Sequence, residues 1–173
     1  MISTSKNSFL IWCGAIFVLI VDQLSKHWVL QNLIEYKTVD FIPWLTPVLS
    51  LTRLSNTGVA FGLFPQLGGW FTILSSTIIL IIIWFYRTLE VQSWPIQLAF
   101  GMQIGGALGN LVDRLLRGSV VDFIDLNFWP VQEFAIFNLA DSAIVVGVGI
   151  LLLCIWLEEE FREQPEELPT HAE

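Results

Sequence analysis

The sequence predicts an all-α membrane protein with four transmembrane helices and short strands in two of the connecting loops. Three observations support this fold class. Of the 173 residues, 54% are hydrophobic and only 14% are charged, the mean hydropathy is +0.67, and the charges lie largely outside four long apolar stretches. Such stretches are typical of membrane spans rather than of a soluble core. We expect a single domain over residues 1–157.

The four spans follow from the length and charge spacing of the apolar stretches, which cover about residues 8–28, 67–86, 95–112 and 138–157. The first stretch resembles a signal peptide, but no small-residue cleavage site closes it, so we expect an uncleaved span. The third is rich in glycine and only weakly hydrophobic. Its small residues would allow neighbouring helices to approach closely.

The segments outside the spans differ in character. The loop between the first two spans, and residues 119–126 after the third, carry β-branched residues that favour short strands. Residues 158–173 contain seven acidic residues and one arginine, which gives −6 of the net charge of −8. This composition predicts a disordered tail. The chain has no basic run for nucleic acid, and its two Cys and two His lack ligand spacing. We therefore expect no nucleic-acid partner, metal or cofactor.

An antiparallel bundle of four spans brings both long loops to one side, which we call the polar end of the bundle. It also collects nearly all polar residues within or beside the spans: Asp22, Lys26, Asn56, Asn110, Asp113, Arg114, Asp122, Asn138 and Asp141. A charge in a span costs about 2.5–3.5 kcal/mol even on insertion scales, so such residues indicate a functional site.

Several of these residues also have structural interpretations. Asp22 and Lys26 are four residues apart and share a helix face, so they form either a stabilising ion pair or a substrate-positioning group. Asp113 and Arg114 are predicted to form a structural ion pair. Asn138 is predicted to be the N-cap of the fourth span, which makes Asp141 its third helical residue, and one alternative is that Asp141 serves only as a cap.

Asp122 and Asp141 together suggest an enzymatic site. Val121 and Phe123 flank Asp122, and this apolar surrounding should raise the pKa of the Asp122 carboxyl. Two carboxyl groups in different environments can activate water and protonate a leaving nitrogen. Two other functions stay open from the residues alone. They are a small transporter or proton-pathway subunit, which also places charges in spans, and a non-catalytic membrane scaffold.

Four segments resemble the lipoprotein signal peptidase family, also called signal peptidase II. They are "DQLSKHWV" (22–29), "NTGVAFGLF" (56–64), "GGALGNLVDRLLRGSVVDFIDL" (105–126) and "FNLADSAIVVG" (137–147). The resemblance implies an aspartic endopeptidase that removes the signal peptide from diacylglyceryl-modified prolipoproteins, cleaving before the lipidated cysteine. It matches Asp122 and Asp141 to the catalytic pair. It matches a second set to site-supporting or substrate-positioning residues: Asp22, Lys26, Asn56, Asn110, Arg114 and Asn138.

The same resemblance implies a location and a topology. The expected protein is a monomer in the bacterial plasma (inner) membrane, in contact with membrane lipid, with both termini in the cytoplasm. A small β-sheet cradle and a short surface helix would lie on the external face, with the active site near the external membrane surface. The charge distribution alone would predict the opposite orientation, because five of the eight Lys and Arg residues lie at the polar end.

Overall fold

The computed structural model describes residues 8–57, 68–88, 93–131 and 134–163, which form four α-helices and one small sheet. The helices are α1 (Phe9–Asn32), α2 (Gly68–Thr88), α3 (Trp94–Arg117) and α4 (Leu139–Glu163). The strands are β1 (Thr38–Val39), β2 (Leu49–Asn56) and β3 (Val120–Leu126). Each predicted span overlaps one helix, and the strand expected over residues 119–126 is β3. Helix α4 continues to Glu163, so the first six residues of the predicted disordered tail are helical. The rest of that tail lies outside the described residues.

Among the described residues, two helices are long and apolar enough to cross a membrane, judged by length and composition. These are Phe9–Asn32, with a mean hydropathy of 1.7, and Leu139–Glu158, with 2.3. Helix α2 contributes a shorter apolar segment, Thr72–Tyr86. Helix α3 is less hydrophobic because it contains glycines and buried amide side chains such as Gln97 and Gln103. A fourfold crossing of the membrane therefore stays a prediction.

Helix α3 is the central helix, since it packs against α1, α2 and α4. Its glycines make this possible. A Cβ atom on Gly101 would lie 2.6 Å from the Ile11 carbonyl oxygen, and one on Gly105 would lie 2.5 Å from that of Ala15, both on α1. A Cβ on Gly106 would collide with the Ala140 carbonyl oxygen on α4. The predicted close approach of helices at the glycine-rich span is thus confirmed.

The sheet positions one side of the site. Its order is β1-β2-β3, and both pairs are antiparallel. In the register of β2 and β3, Asn56 lies opposite Val120 and Leu54 lies opposite Asp122. Val121 and Phe123 of β3 pack with α1 in one apolar cluster, so the sheet is fixed to the end of α1. Residues 8–57, 68–88, 93–131 and 134–163 contain no fifth α-helix for the expected surface helix, and residues 58–67 lie outside the description.

Candidate active site

Asn138 and Asp141 form a reciprocal cap at the start of α4. The Asp141 backbone N–H donates to Asn138 Oδ1 at 3.0 Å, and the Asn138 N–H donates to Asp141 Oδ2 at 3.2 Å. This is the capping-box arrangement, here built from Asn and Asp. The predicted N-cap is confirmed, and Asp141 is the third helical residue. Capping uses only one carboxylate oxygen, because Asp141 Oδ1 accepts a hydrogen bond from Asn110 Nδ2 at 2.7 Å.

Asp122 lies on β3 and is 2% exposed. Its Oδ1 accepts a hydrogen bond from Asn138 Nδ2 at 2.6 Å, and its Oδ2 accepts one from Asn56 Nδ2 at 2.9 Å. The pKa of Asp122 is raised from 3.8 to about 7, chiefly by burial and also by the nearby charge of Asp141, which together outweigh the two amide hydrogen bonds that lower it. The raised pKa that the apolar neighbours predicted is therefore present. Asp122 retains a proton at a pH where exposed aspartates are ionised.

Asn138 links the two carboxylates. Its amide oxygen accepts from the Asp141 N–H, while its amide nitrogen donates to Asp122 Oδ1. The same nitrogen lies 3.2 Å from Asn110 Oδ1, so Asn110 and Asn138 form one amide network between α3, β3 and α4. The structure thus brings together two aspartates that are separated by 19 positions in the sequence.

The two carboxylates line one cavity of about 620 Å³. One part of its wall is polar and comprises Asn56, Asn110, Arg114, Asp122, Asp141 and Ser142. The remaining wall is almost wholly apolar and comprises Val120, Leu126, Val131, Phe134, Ala135, Ile136, Phe137, Val145 and Val146. A cavity with a carboxylate pair at one side and an apolar wall at the other suits an amphipathic substrate.

A fully buried group of charges lies behind the amide network. Lys26 is 0% exposed, and its Nζ lies 2.9 Å from Asp22 Oδ2 and 3.1 Å from Asp113 Oδ2. Lys26 also donates to Asn110 Oδ1 at 2.9 Å. Arg117 pairs with Asp113 from one helical turn further along α3. The predicted Asp22–Lys26 pair is therefore confirmed.

The predicted partner of Asp113 is wrong, since Asp113 pairs with Lys26 and Arg117 instead of Arg114. Adjacent helical residues point about 100° apart, whereas residues four positions apart share a face. The Arg114 guanidinium instead donates to Ser75 Oγ of α2 at 3.2 Å and to the Asn110 carbonyl oxygen at 3.5 Å. Arg114 also lines the cavity, where it supplies a positive charge beside the carboxylates.

Asp22 and Asp113, the two aspartates of the buried charge group, also accept hydrogen bonds from backbone N–H groups that adjoin Asp141 and Asp122 in the sequence. Asp22 Oδ1 accepts from the Ala140 N–H at 3.0 Å, and Asp113 Oδ2 accepts from the Val121 N–H at 3.0 Å. The sequence interpretation missed Gln23, whose side-chain amide donates to Asp22, Asp113 and the Gly109 carbonyl oxygen. Its only signal is an uncharged polar residue beside Asp22 within an apolar span.

The described residues contain no group of three or more His, Cys, Asp or Glu side chains that could hold a metal ion. The carboxyl groups of the site can supply acid–base chemistry. One carboxyl, that of Asp122, is buried and has a raised pKa, and the other, that of Asp141, caps the N-terminus of α4. Such a pair can act as a general acid and a general base in one reaction.

Comparison with known proteins points to one family. A family model described as "Signal peptidase (SPase) II" matches residues 14–157. The chain is 40% identical over 153 residues to a lipoprotein signal peptidase of Shewanella sediminis, covering 86% of this chain and 84% of that protein. It is 38% identical over 164 residues to one of Shewanella loihica, covering 92% and 94%.

Solved structures agree with the sequence comparison. One bacterial membrane enzyme, solved by the in meso method at 2.3 Å, has a TM-score of 0.78 and 30% identity, covering 95% of this chain and 96% of its own. A second, solved by the same method at 1.9 Å, has a TM-score of 0.73 and 32% identity, covering 88% and 94%. The fold described above is therefore similar to that of solved membrane enzymes.

Proposed function

Because the chain belongs to the signal peptidase II family, we propose that Asp122 and Asp141 are the catalytic carboxyl groups with which it cleaves its substrates. Members of this family are aspartic peptidases that remove signal peptides from prolipoproteins, and this chain is such a peptidase. One observation carries the assignment of the pair. Two carboxyl groups from different elements share the amide of Asn138 and line a single cavity.

The proposed reaction is hydrolysis by an activated water molecule. The Asp141 carboxylate accepts a proton as the water oxygen attacks the carbonyl carbon before the lipidated cysteine. Asp122, protonated because its pKa is about 7, donates its proton to the leaving amide nitrogen as the C–N bond breaks. Transfer of the proton from Asp141 to Asp122 then restores the starting state, in which the two coupled carboxyl groups share one proton.

The supporting roles follow from the contacts around the pair. Asn56 and Asn138 donate to Asp122, while Asn110 donates to Asp141. These hydrogen bonds hold each carboxyl in one orientation, which is the main requirement for a reaction geometry formed before substrate binds. Arg114 lines the cavity and is anchored to Ser75, so its guanidinium is suited to bind a carbonyl oxygen of the substrate. Further behind the pair lie Asp22, Lys26 and Asp113.

We also infer that all four helices cross the plasma membrane, with the polar end outside and both termini in the cytoplasm. The substrate, a diacylglyceryl-modified prolipoprotein, then enters the cavity from the surrounding lipid. The exposed side chains of Val145 (69%) and Val146 (50%) on α4 support this route, because they line the cavity and continue its apolar wall outward. A monomer suffices, since one chain supplies every residue of the site.

A cleavage assay tests the assignment of Asp122 and Asp141. Purified protein in detergent is incubated with a diacylglyceryl-modified prolipoprotein, and the loss of the signal peptide is followed by gel shift. We expect Asp122→Asn and Asp141→Asn each to abolish cleavage in protein that still folds, because either change removes one proton carrier. The matched control is Asp125→Asn on the same strand, since Asp125 bonds to Thr52 outside the cavity.

The control variant should cleave at the wild-type rate. Wild-type activity in Asp122→Asn or in Asp141→Asn would show that the carboxyl groups have been paired wrongly. A prolipoprotein without the diacylglyceryl group tests the substrate assignment, since we expect it to be cleaved much more slowly. Equal cleavage of both substrates would contradict a lipid-binding role for the apolar wall.

A further inference from the structure

The ion pair between Asp22 and Lys26 is fully buried, with both residues 0% exposed. Buried ion pairs are weak contributors to stability, and apolar residues of similar volume often replace them without loss. The pair therefore needs another explanation. We propose that Asp22 and Lys26 are positioning residues that fix Asp141 through two separate hydrogen-bonded arms, an inference that rests on the catalytic role proposed for Asp141.

The first arm runs from Asp22 to the backbone of α4. The first N–H groups of a helix have no partner within that helix and are usually capped by a nearby side chain of the same segment. At α4 the second of these N–H groups, that of Ala140, is capped by Asp22 Oδ1 from α1 at 3.0 Å. Ala140 directly precedes Asp141, so α1 fixes the backbone from which the Asp141 carboxylate projects.

The second arm runs from Lys26 through Asn110 to the carboxylate itself. Lys26 Nζ donates to Asn110 Oδ1 at 2.9 Å, and Asn110 Nδ2 donates to Asp141 Oδ1 at 2.7 Å. An ammonium group has donors only, so it selects the amide oxygen. If the Asn110 amide were reversed, its N–H groups would face the ammonium and its oxygen would face the carboxylate. Lys26 thus sets the orientation in which Asn110 donates to Asp141.

Both arms begin at the same ion pair, and they end at the backbone N–H of Ala140 and at the carboxylate of the adjacent Asp141. Asp22 uses one oxygen for Lys26 and the other for Ala140, so a movement of either partner displaces both arms together. Asp113 and Arg117 balance the remaining charge of the group. Neutral residues can therefore replace both Asp22 and Lys26 without leaving an unpaired buried charge, because Asp113 keeps its pair with Arg117. The role of the Asp22–Lys26 pair is thus separable from folding.

A pair of double variants tests the second arm. Asp22→Asn with Lys26→Met keeps an oxygen for the Ala140 N–H but removes the donor to Asn110. Asp22→Asn with Lys26→Gln keeps that oxygen and restores an N–H donor, on a side chain one atom shorter than lysine. We expect the methionine variant to lose about 100-fold in kcat, the effect of a misplacement of about 1 Å, with KM within about threefold of wild type. The glutamine variant should recover at least about tenfold of that loss.

Folding is monitored by size-exclusion chromatography and thermal unfolding, and Gln103→Leu serves as the control. Gln103 is a buried amide on α3, seven residues or about 10 Å from Asn110, so its loss should leave kcat unchanged. A third double variant, Asp22→Leu with Lys26→Met, removes both arms and replaces both buried side chains by apolar ones. This third variant provides the test if Asp22→Asn with Lys26→Met does not fold, and it too should lose about 100-fold in kcat.

The results separate this proposal from the catalytic assignment, because Asp141→Asn is measured beside the double variants. If Asp141→Asn is inactive while the methionine variants keep wild-type kcat, the ion pair is only structural and the positioning role is overturned. Equal losses of kcat in the two double variants that carry Asp22→Asn, one with glutamine and one with methionine at position 26, would overturn it as well. If Asp141→Asn itself cleaves at the wild-type rate, the proposed catalytic pair has failed.

Discussion

Replacement of Gly109 by alanine is the most direct test of how α1, α3 and α4 hold the site. A Cβ atom on Gly109 would collide with Asp22 Oδ2, lie 3.1 Å from Asp22 Cγ and lie 3.5 Å from the Ala140 Cβ atom. Asp22 cannot simply withdraw, because Lys26, Gln23 and the Ala140 N–H hold its oxygens at 2.9, 3.2 and 3.0 Å.

Two structural responses are possible, and both are costly. If Asp22 moves, the buried ion pair breaks, which costs about 3–5 kcal/mol. If α3 moves away from α1 instead, its Gly106 is pressed further against the Ala140 carbonyl oxygen of α4, and overpacking of this kind costs about 1–3 kcal/mol. Because α3 is confined on both sides, we expect a loss of about 3 kcal/mol. For a chain of this size that loss corresponds to a decrease in Tm of roughly 6–12 °C.

The assay is thermal unfolding of the purified variants in one detergent, with Gly149→Ala as the matched control. Gly149 also lies within a helix, α4, but a Cβ atom there would meet no atom of the described residues within 4 Å. Alanine at that position should leave Tm unchanged or raise it slightly, because alanine favours a helix over glycine by about 0.5–1 kcal/mol. Equal Tm values for Gly109→Ala and Gly149→Ala would refute the close packing at Asp22. Loss of cleavage should accompany the Gly109 change, since Asp22 caps the helix of Asp141.

Two further predictions concern buried polar groups. The folded state retains the Asp122 proton between about pH 4 and 7. The free energy of unfolding should therefore fall as the pH rises from about 4 to 7 in wild type, but not in Asp122→Asn. The pKa change from 3.8 to about 7 corresponds to a change in the free energy of unfolding on the order of 4 kcal/mol. Parallel pH dependences of Tm in wild type and Asp122→Asn would contradict this prediction. The buried Gln103 Nε2 has no hydrogen-bond partner among the described residues, so Gln103→Leu should stabilise the protein by about 1–3 kcal/mol. A decrease in Tm would show that this amide has a partner.

The local features of the fold could be predicted because they depend on neighbouring residues. Apolar stretches of sufficient length correspond to α1, α2, α3 and α4, and the β-branched segment corresponds to β3. The cap of α4 follows from the spacing of Asn138 and Asp141, and the Asp22–Lys26 pair follows from the helical repeat. In the cap and in the ion pair the interacting residues are three or four positions apart, so the geometry of one helix decides the contact.

Contacts between distant segments could not be predicted from the same rules. The sequence offers no means of knowing that Asp22 would cap α4, 118 residues further along the chain, since that contact depends on how α1 and α4 pack against α3. The wrong partner for Asp113 has a related cause. Adjacency in sequence suggested Arg114, but only the packing of α3 shows that Asp113 faces Lys26 and β3 while Arg114 faces the cavity.

The position of the carboxyl pair at the end of the bundle follows from the different elements that supply it. Asp141 depends on a helix N-terminus for its cap, and Asp122 depends on a strand that pairs with β2 and carries Asn56 to its side. Lipid-exposed strand edges do not occur in the hydrocarbon region of a bilayer, so the proposed topology places the sheet at the membrane boundary. The start of α4 meets β3 at the same boundary in that topology. Water for hydrolysis and lipid for an acylated substrate are both within reach there, which is the requirement of a peptidase that cleaves next to a lipid anchor.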